Sequence, residues 1–239
     1  MKGLRKLLAG VLKRLRRLIV LTLLLSLSAS LILVLSLRWL DPPFSSVMLQ
    51  RLASEGGPQR QQWVDLEHTG PYMALAVVAA EDQRFPQHRG FDTEEIIAAI
   101  ERRLDGGRLR GASTISQQVA RNLFLWQGRS FLRKGLEVWF TGLVEALWPK
   151  HRILEMYLNF AETGERMFGV AAASGYYFRV KPDRLNSRQA ALIAAVLPNP
   201  VLYRVDAPSA HVRQRRDWIL QQMQNLGGPA YLNGIVGAP

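Results

Sequence analysis

The chain has 239 residues, with 31 Lys and Arg, 19 Asp and Glu and no cysteine, so its formal net charge is +12. Its hydrophobic content of 48% excludes a disordered protein, and the lack of cysteine excludes a disulfide scaffold and a cysteine-ligated zinc protein. A charge this high suggests nucleic acid binding, but eight basic residues precede Asp41, the first acidic residue. Residues 41–239 hold 23 basic and 19 acidic residues, which leaves a net charge of only +4.

The first element in chain order is an apolar segment over residues 18–37, which carries no charge. As a helix it would be about 30 Å long, the thickness of the hydrocarbon core of a bilayer. Seven basic residues precede it and only Arg38 follows closely, so the positive-inside rule predicts a single-pass anchor with a cytoplasmic N-terminus. The alternative is a cleaved signal peptide with Ser28-Ala29-Ser30 as its cleavage site, but the apolar stretch continues past that site.

Beyond the anchor, helical signals dominate, and sustained alternation typical of strands is hard to find. The sequence therefore predicts a mostly α domain. The predicted division is a basic cytoplasmic segment (1–17), a transmembrane helix (18–37), a juxtamembrane segment (38–64), one folded domain (65–226) and a C-terminal tail (227–239). The predicted helices of the domain run from Pro71 to about Arg84, from a start at Asp92, from a start at Thr114, from Ser130 to before Pro149, and over 150–159, 169–178, 187–196 and 209–226.

Two adjacent acids, Glu81 and Asp82, lie at the end of the apolar helix that begins at Pro71. Burial, the second acid and the partial negative charge of a helix C-terminus all raise a carboxyl pKa, as a general base working near neutral pH requires. The same pair also fits an ordinary solvated helix end.

Polar side chains crowd the segment from Ser113 to Asn122. On a helical wheel, Thr114, Gln117, Gln118 and Arg121 share one face, whereas the apolar residues share another that is expected to enter the core. Hydroxyl, amide and guanidinium groups suit sugar hydroxyls and phosphate oxygens.

A cationic cluster follows in Arg129, Arg133 and Lys134, with Glu137 embedded in it. This pattern suits a phosphorylated substrate, although Arg133 and Glu137 at i,i+4 spacing also fit a surface ion pair. Glu155 and Asn159, again at i,i+4, are interpreted as packing and hydrogen-bonding support. The four histidines show no metal-ligand spacing.

Taken together and in this order, the motifs resemble the peptidoglycan glycosyltransferase family, in its monofunctional biosynthetic form. The matching residues are Glu81-Asp82, Phe85, His88 and Gly90; Gly111, Ser113 to Gln118 and Asn122; Arg133-Lys134 and Glu137; Ile153 to Glu155 with Tyr157 to Asn159; and the Ala-Ala-Leu helix at 190–192. The resemblance implies a lysozyme-like helical domain and inverting transfer between lipid-linked disaccharide units (lipid II), with release of undecaprenyl diphosphate outside the inner membrane.

The resemblance also implies roles for individual residues. Glu81 would be the general base, and Glu137 would assist the departing pyrophosphate. Phe85, His88, Gly90, Glu155 and Asn159 would support the site. Substrate binding would fall to Asp82, Ser113, Thr114, Gln117, Gln118, Arg121, Asn122, Arg129, Arg133 and Lys134.

The resemblance assigns no cofactor, although it allows a divalent cation (Mg²⁺ or Mn²⁺) at the pyrophosphate. It excludes nucleic acid as a partner and leaves cell-wall synthesis or division proteins as candidates. Arg121 stands where family members usually have Lys, and Leu136 stands where some carry another cation. Two alternatives remain open: a lysozyme-like lytic transglycosylase, which needs no cationic cluster, and a non-catalytic anchored scaffold.

Overall fold

The computed structural model describes residues 2–104, 106, 113–128 and 130–236. The chain divides into two compact units, Met1–Asp41 and Pro42–Pro239, which are described separately. The structure is 68% helical, which confirms the predicted mostly α fold.

The first unit is the helix α1, Lys2–Ser36. Its stretch Gly10–Ser36 has a mean hydropathy of 2.8, and within the described part of the chain it is the one helix long and apolar enough to cross a membrane. The hydroxyls of Ser26, Ser30 and Ser36 donate to backbone carbonyls three or four residues earlier, so these polar side chains are satisfied within the helix. The helix is consistent with a single-pass membrane anchor.

In the residues that the structure describes, the second unit is built from helices of 4 to 17 residues and three short strands. The helices are α2 (Ser46–Glu55), α3 (Pro71–Glu81), α4 (Thr93–Leu104), α5 (Ile115–Phe124), α6 (Phe131–Leu147), α7 (Lys150–Phe160), α8 (Val170–Ala173), α9 (Ser187–Val196), α10 (Ala210–Asn225) and α11 (Asn233–Val236). Short 3-10 helices cover Leu66–His68, Pro182–Arg184 and Gly228–Leu232, and a π-helical turn covers Ser174–Phe178. The strands are β1 (Arg60–Gln61), β2 (Glu162–Gly164) and β3 (Met167–Phe168).

The helix starts follow the capping chemistry written in the sequence. Thr114 and Gln117 form a reciprocal capping box at the start of α5, as predicted, and the Ser130 hydroxyl accepts from the Arg133 N–H in the first turn of α6. The helix α3 ends at Glu81, earlier than predicted, because Asp82 leaves the helical conformation with φ −163°.

The core is centred on α3, in which every residue from Met73 to Ala79 is buried. This helix packs against α9 and α10, and the small side chains of α9 allow the close approach. A second layer joins α5, α6 and α7. The strand β3 lies between β1 and β2, parallel to β1 with Arg60 opposite Met167, and antiparallel to β2.

Candidate active site

Glu81, at the C-terminal end of α3, has a side chain that is only 14% exposed. Its Oε2 accepts a hydrogen bond from Gln118 Nε2 at 3.0 Å, and Arg215 of α10 donates to its Oε1 at 3.4 Å. Burial raises the pKa of Glu81, although the Gln118 hydrogen bond and the charges of Arg215 and Arg121 oppose it. A carboxylate with a raised pKa is suited to take up a proton near neutral pH.

The orientation of Gln118 is fixed from its other side. The hydroxyl of the buried Tyr157 on α7 donates to Gln118 Oε1 at 3.4 Å, a long hydrogen bond. The Gln118 amide group is thereby turned toward Glu81. Burial and the negative charge of Glu81 raise the pKa of Tyr157 well above its usual value, so the phenol stays protonated and remains a donor.

Glu137 is a buried carboxylate on α6, with its side chain only 3% exposed. Arg133 donates to its Oε2 at 2.7 Å, and Lys134 donates to its Oε1 at 2.5 Å. Burial acts to raise the pKa of Glu137, but the hydrogen bonds from Lys134 and Arg133 outweigh it, and the pKa is lowered. The arrangement is therefore a buried charge cluster, which differs from the surface ion pair that the spacing alone also allows.

A cavity of about 370 Å³ lies between these two carboxylate systems. Gln118, which holds Glu81, and Arg133, which holds Glu137, both line it. Arg121 lines it as well, and its charge lowers the pKa of both Glu81 and Glu137, which places the guanidinium near each of them. The remaining lining residues are Val47, Asn122, Trp126, Gln127, Gly128, Tyr157, Phe160, Ala161, Glu162, Leu197 and Pro200.

Three residues that the sequence assigned to substrate binding have their side chains occupied inside the fold. Asp82 is 7% exposed; it accepts from His88 Nε2 at 2.9 Å and from the backbone N–H of Ile115 at 2.9 Å. Thr114 and Gln117 are buried and cap α5, and Thr114 also donates to the Gly90 carbonyl at 2.7 Å. The structure places these groups at the joint between α3 and α5 rather than in the cavity, because they satisfy backbone groups that the helix start leaves free.

The remaining assigned residues take varied positions. Ser113 is exposed just before α5, and Lys134 is half exposed at the edge of the charge cluster. Arg129 and Gly111 lie outside the described residues.

The motif after Glu81 packs against the joint between α3 and α5. Phe85 is fully buried and contacts the His88 ring edge-on, and the ammonium of Lys150 lies 4.4 Å from the centroid of the Phe85 ring. Gly90 has φ +86°, and a Cβ there would lie 2.9 Å from Glu145 Cγ. Only glycine fits this close approach without strain.

Glu155 and Asn159 on α7 hold the segment that precedes α3. Asn159 Oδ1 accepts from Val64 N at 2.9 Å and its Nδ2 donates to Val64 O at 2.8 Å, while Glu155 Oε1 accepts from Leu66 N at 3.0 Å. The two side chains stand in for a strand partner along this irregular backbone.

Three residues of the site have no assigned role in the sequence analysis: Tyr157, Glu162 and Arg215. Tyr157 lies in one of the motifs that carry the family resemblance, so the sequence pattern already marked it as a candidate site residue. Arg215 lies 134 positions from Glu81, and no local pattern marks it.

The donor set at the cavity does not fit a divalent cation well. Both oxygens of Glu137 already accept from cations, and Glu162, a carboxylate that lines the cavity, is paired with Arg51 at 3.2 Å. Elsewhere, ligand atoms of Asp82, His88 and Asp92 lie within 4.8 Å of one another, which the sequence spacing did not indicate. Asp82 and His88 are joined by their hydrogen bond, and Asp92 accepts from the Glu95 N–H at 3.0 Å near the start of α4.

Comparison with known proteins identifies the family. A family model described as Transglycosylase matches residues 47–224. The chain belongs to the transglycosylase family. This confirms the family predicted from the five ordered motifs, and with it the expected enzyme class, a glycosyltransferase.

Several curated relatives of this transglycosylase share about half of its residues. A protein of Pseudomonas fluorescens (strain SBW25) named biosynthetic peptidoglycan transglycosylase is 51% identical over 209 residues, which cover 85% of this chain and 87% of the relative. Proteins of the same name from Ectopseudomonas mendocina (strain ymp) and Xanthomonas campestris pv. campestris (strain B100) are 50% and 49% identical, covering 87% and 86% of this chain and 88% and 86% of the relatives.

Proposed function

We propose that this transglycosylase polymerises the glycan strands of peptidoglycan by inverting transfer between lipid-linked disaccharide units. The donor is a growing chain on undecaprenyl diphosphate, and the acceptor is the 4-hydroxyl of the next lipid II. The observation that carries the proposal is a pair of largely buried carboxylates, Glu81 and Glu137, whose partners line one cavity and whose pKa values are moved in opposite directions. Because their pKa values are shifted apart, the two carboxyl groups are suited to different roles in one reaction.

Glu81 serves as the base in this reaction. As the acceptor oxygen bonds to the anomeric carbon of the donor, its proton passes to Glu81 Oε. Burial makes this carboxylate a better proton acceptor, and the hydrogen bond from Gln118 and the contact with Arg215 hold it in place.

Cationic groups stabilise the leaving group. When the bond from the anomeric carbon to the phosphate oxygen breaks, its electron pair stays on the diphosphate, whose charge then faces Arg133 and Arg121 in the cavity. Among the described residues, Arg133 Nε is buried without a hydrogen-bond partner, so it retains a donor for a phosphate oxygen. Glu137 holds Arg133 and Lys134 in position and stays ionised because its pKa is lowered.

The anchor fits a lipid-linked substrate. The basic residues before the apolar part of α1 favour the cytoplasmic side, which puts the second unit outside the inner membrane, where lipid II is the substrate.

A divalent cation at the diphosphate would compete with Arg133 and Lys134 for Glu137. Polymerisation in EDTA would show that the protein's own cationic side chains are sufficient.

The test uses the full chain in vesicles that contain lipid II, with glycan polymer separated by size. Wild-type protein is expected to form polymer, and Glu81→Gln to lose nearly all of it, whereas the control Glu165→Gln, at a side chain that is 71% exposed, keeps it. Cleavage of finished peptidoglycan without polymerisation would instead support a lytic enzyme. A folded protein with neither activity would support a scaffold, and a Glu81→Gln variant as fast as wild type would remove Glu81 as the base.

A further inference from the structure

The helix α2, which follows the anchor in the chain, forms part of the cavity wall. Val47 on this helix lines the cavity together with the loop Trp126–Gly128. Val47 and its neighbour Met48 are both buried in the second unit.

Gln50 of α2 is bonded to this loop on both sides of Trp126. Its Nε2 donates to the Leu125 carbonyl at 3.0 Å, and its Oε1 accepts from the Gln127 N–H at 2.6 Å. One amide group thus replaces the pair of hydrogen bonds that a neighbouring strand would make. The loop that lines the cavity is consequently held at a fixed position relative to α2.

A second contact joins α2 to the opposite part of the lining. Arg51, the next residue, pairs with Glu162 of β2 at 3.2 Å, and Glu162 also lines the cavity. The pair is largely buried, with side-chain exposures of 23% and 14%. The Arg51 charge opposes the effect of burial, which raises the pKa of Glu162.

The helix α2 is itself bonded to residues that adjoin the strands. Gln59 Nε2 donates to the Met48 carbonyl at 2.7 Å, and Arg166 donates to the Gly56 carbonyl at 2.9 Å. Because both ends of the helix are tied down, Gln50 is a fixed point to which the loop attaches.

We propose that Gln50 is a positioning residue for the substrate cavity: it holds the loop Trp126–Gly128 in the place where the loop contacts the lipid-linked substrate. The substrate in this statement rests on the proposed function. Gln50 bonds to neither Glu81 nor Glu137 in the described part of the chain, and those carboxylates are held by α5, α6 and α10. Loss of the Gln50 amide is therefore expected to weaken substrate binding and to leave the chemical step in place.

The test compares Gln50→Ala and Gln50→Glu with the control Gln214→Ala, which removes the same amide from an exposed position of α10. The full chain is assayed on lipid II in vesicles. Gln50→Ala is expected to raise KM about fivefold and to change kcat less than about twofold. Gln50→Glu keeps the acceptor for Gln127 N–H and is expected to recover part of the loss in KM.

Hydrogen exchange at the Gln127 amide gives a readout that needs no substrate. Exchange should be faster in Gln50→Ala than in wild type, close to wild type in the control, and intermediate in Gln50→Glu, which keeps the acceptor for the Gln127 N–H but loses the donor to the Leu125 carbonyl. Equal exchange in wild type and Gln50→Ala, or a fall in kcat with KM unchanged, would overturn the proposal. A wild-type protein that makes no polymer would refute the proposed function alone, since the exchange rates would still decide whether Gln50 holds the loop.

Discussion

Replacing Asp82 by Ala separates the role that the sequence assigned to this residue from the role that its surroundings indicate. A substrate-binding carboxylate can be removed with little effect on folding, whereas a carboxylate that joins two helices cannot. Asp82 accepts from the Ile115 N–H, the first backbone donor of α5, and from His88, whose side chain is only 8% exposed. Truncation leaves both donors buried without an acceptor.

The size of the effect follows from those two donors. An unsatisfied buried donor costs about 1–3 kcal/mol, so Asp82→Ala is expected to lower the free energy of unfolding by about 2–5 kcal/mol. For a domain of this size, each kcal/mol lowers Tm by about 2–4 °C, which gives a fall of about 4–20 °C. Asp82→Asn keeps an oxygen for the Ile115 N–H and is expected to cost about half as much.

The measurement is thermal unfolding of the full chain in detergent, with Asp65→Ala as the control. Asp65 has a side chain that is 63% exposed, so its removal should leave Tm nearly unchanged. If Asp82→Ala melted within about 2 °C of the control and only raised KM for lipid II, the residue would contact substrate, and the reasoning from its buried hydrogen bonds would be wrong.

Two further predictions concern the pH profile and the backbone. Because Glu81 accepts a proton only when ionised, kcat/KM should fall as the pH drops through its raised pKa, at a higher pH than for an ordinary glutamate. Arg215 lowers that pKa, so Arg215→Gln should move this acidic limb to still higher pH. Gly90→Ala places a Cβ 2.9 Å from Glu145 at a φ of +86° and should cost about 1–3 kcal/mol in thermal unfolding, whereas Gly135→Ala, with open space around it inside α6, should cost nothing.

Matched measurements decide both predictions. Arg213→Gln removes an exposed cation from the same helix and should leave the acidic limb unchanged. An acidic limb that moved to lower pH in Arg215→Gln would contradict the assigned effect of the guanidinium. Equal Tm values for the two glycine variants would show that the contact at Gly90 relaxes without cost.

Much of the local structure is readable from the sequence because its causes are local. Thr114 with Gln117, and Ser130, mark helix starts through hydrogen bonds within four residues, and the apolar run before Arg38 has the length and composition of an anchor. The ordered motifs were sufficient to predict the family and to single out Glu81 and Glu137.

Which groups meet across the fold was decided only by the tertiary structure. The helical wheel gave Thr114 and Gln117 a polar face, yet the fold buries both at the start of α5, where they cap the helix and Thr114 bonds to the Gly90 carbonyl. On α6 the buried residues include Glu137 and Thr141, whereas Phe131 is 99% exposed. Periodicity defines the faces of a helix, but which face its neighbours cover depends on the other helices.

The contacts around the cavity show the same division most clearly. Arg215 reaches Glu81 from α10, and Gln50 reaches the Trp126 loop from 75 positions away. The sequence determined the anchor, the helix starts and the two carboxylates, since each follows from composition or from neighbours a few residues apart. Only the packed helices decided which charges oppose the effect of burial on the pKa of Glu81 and which side chain holds the cavity loop, because those effects depend on distance in space and leave no periodic mark along the chain.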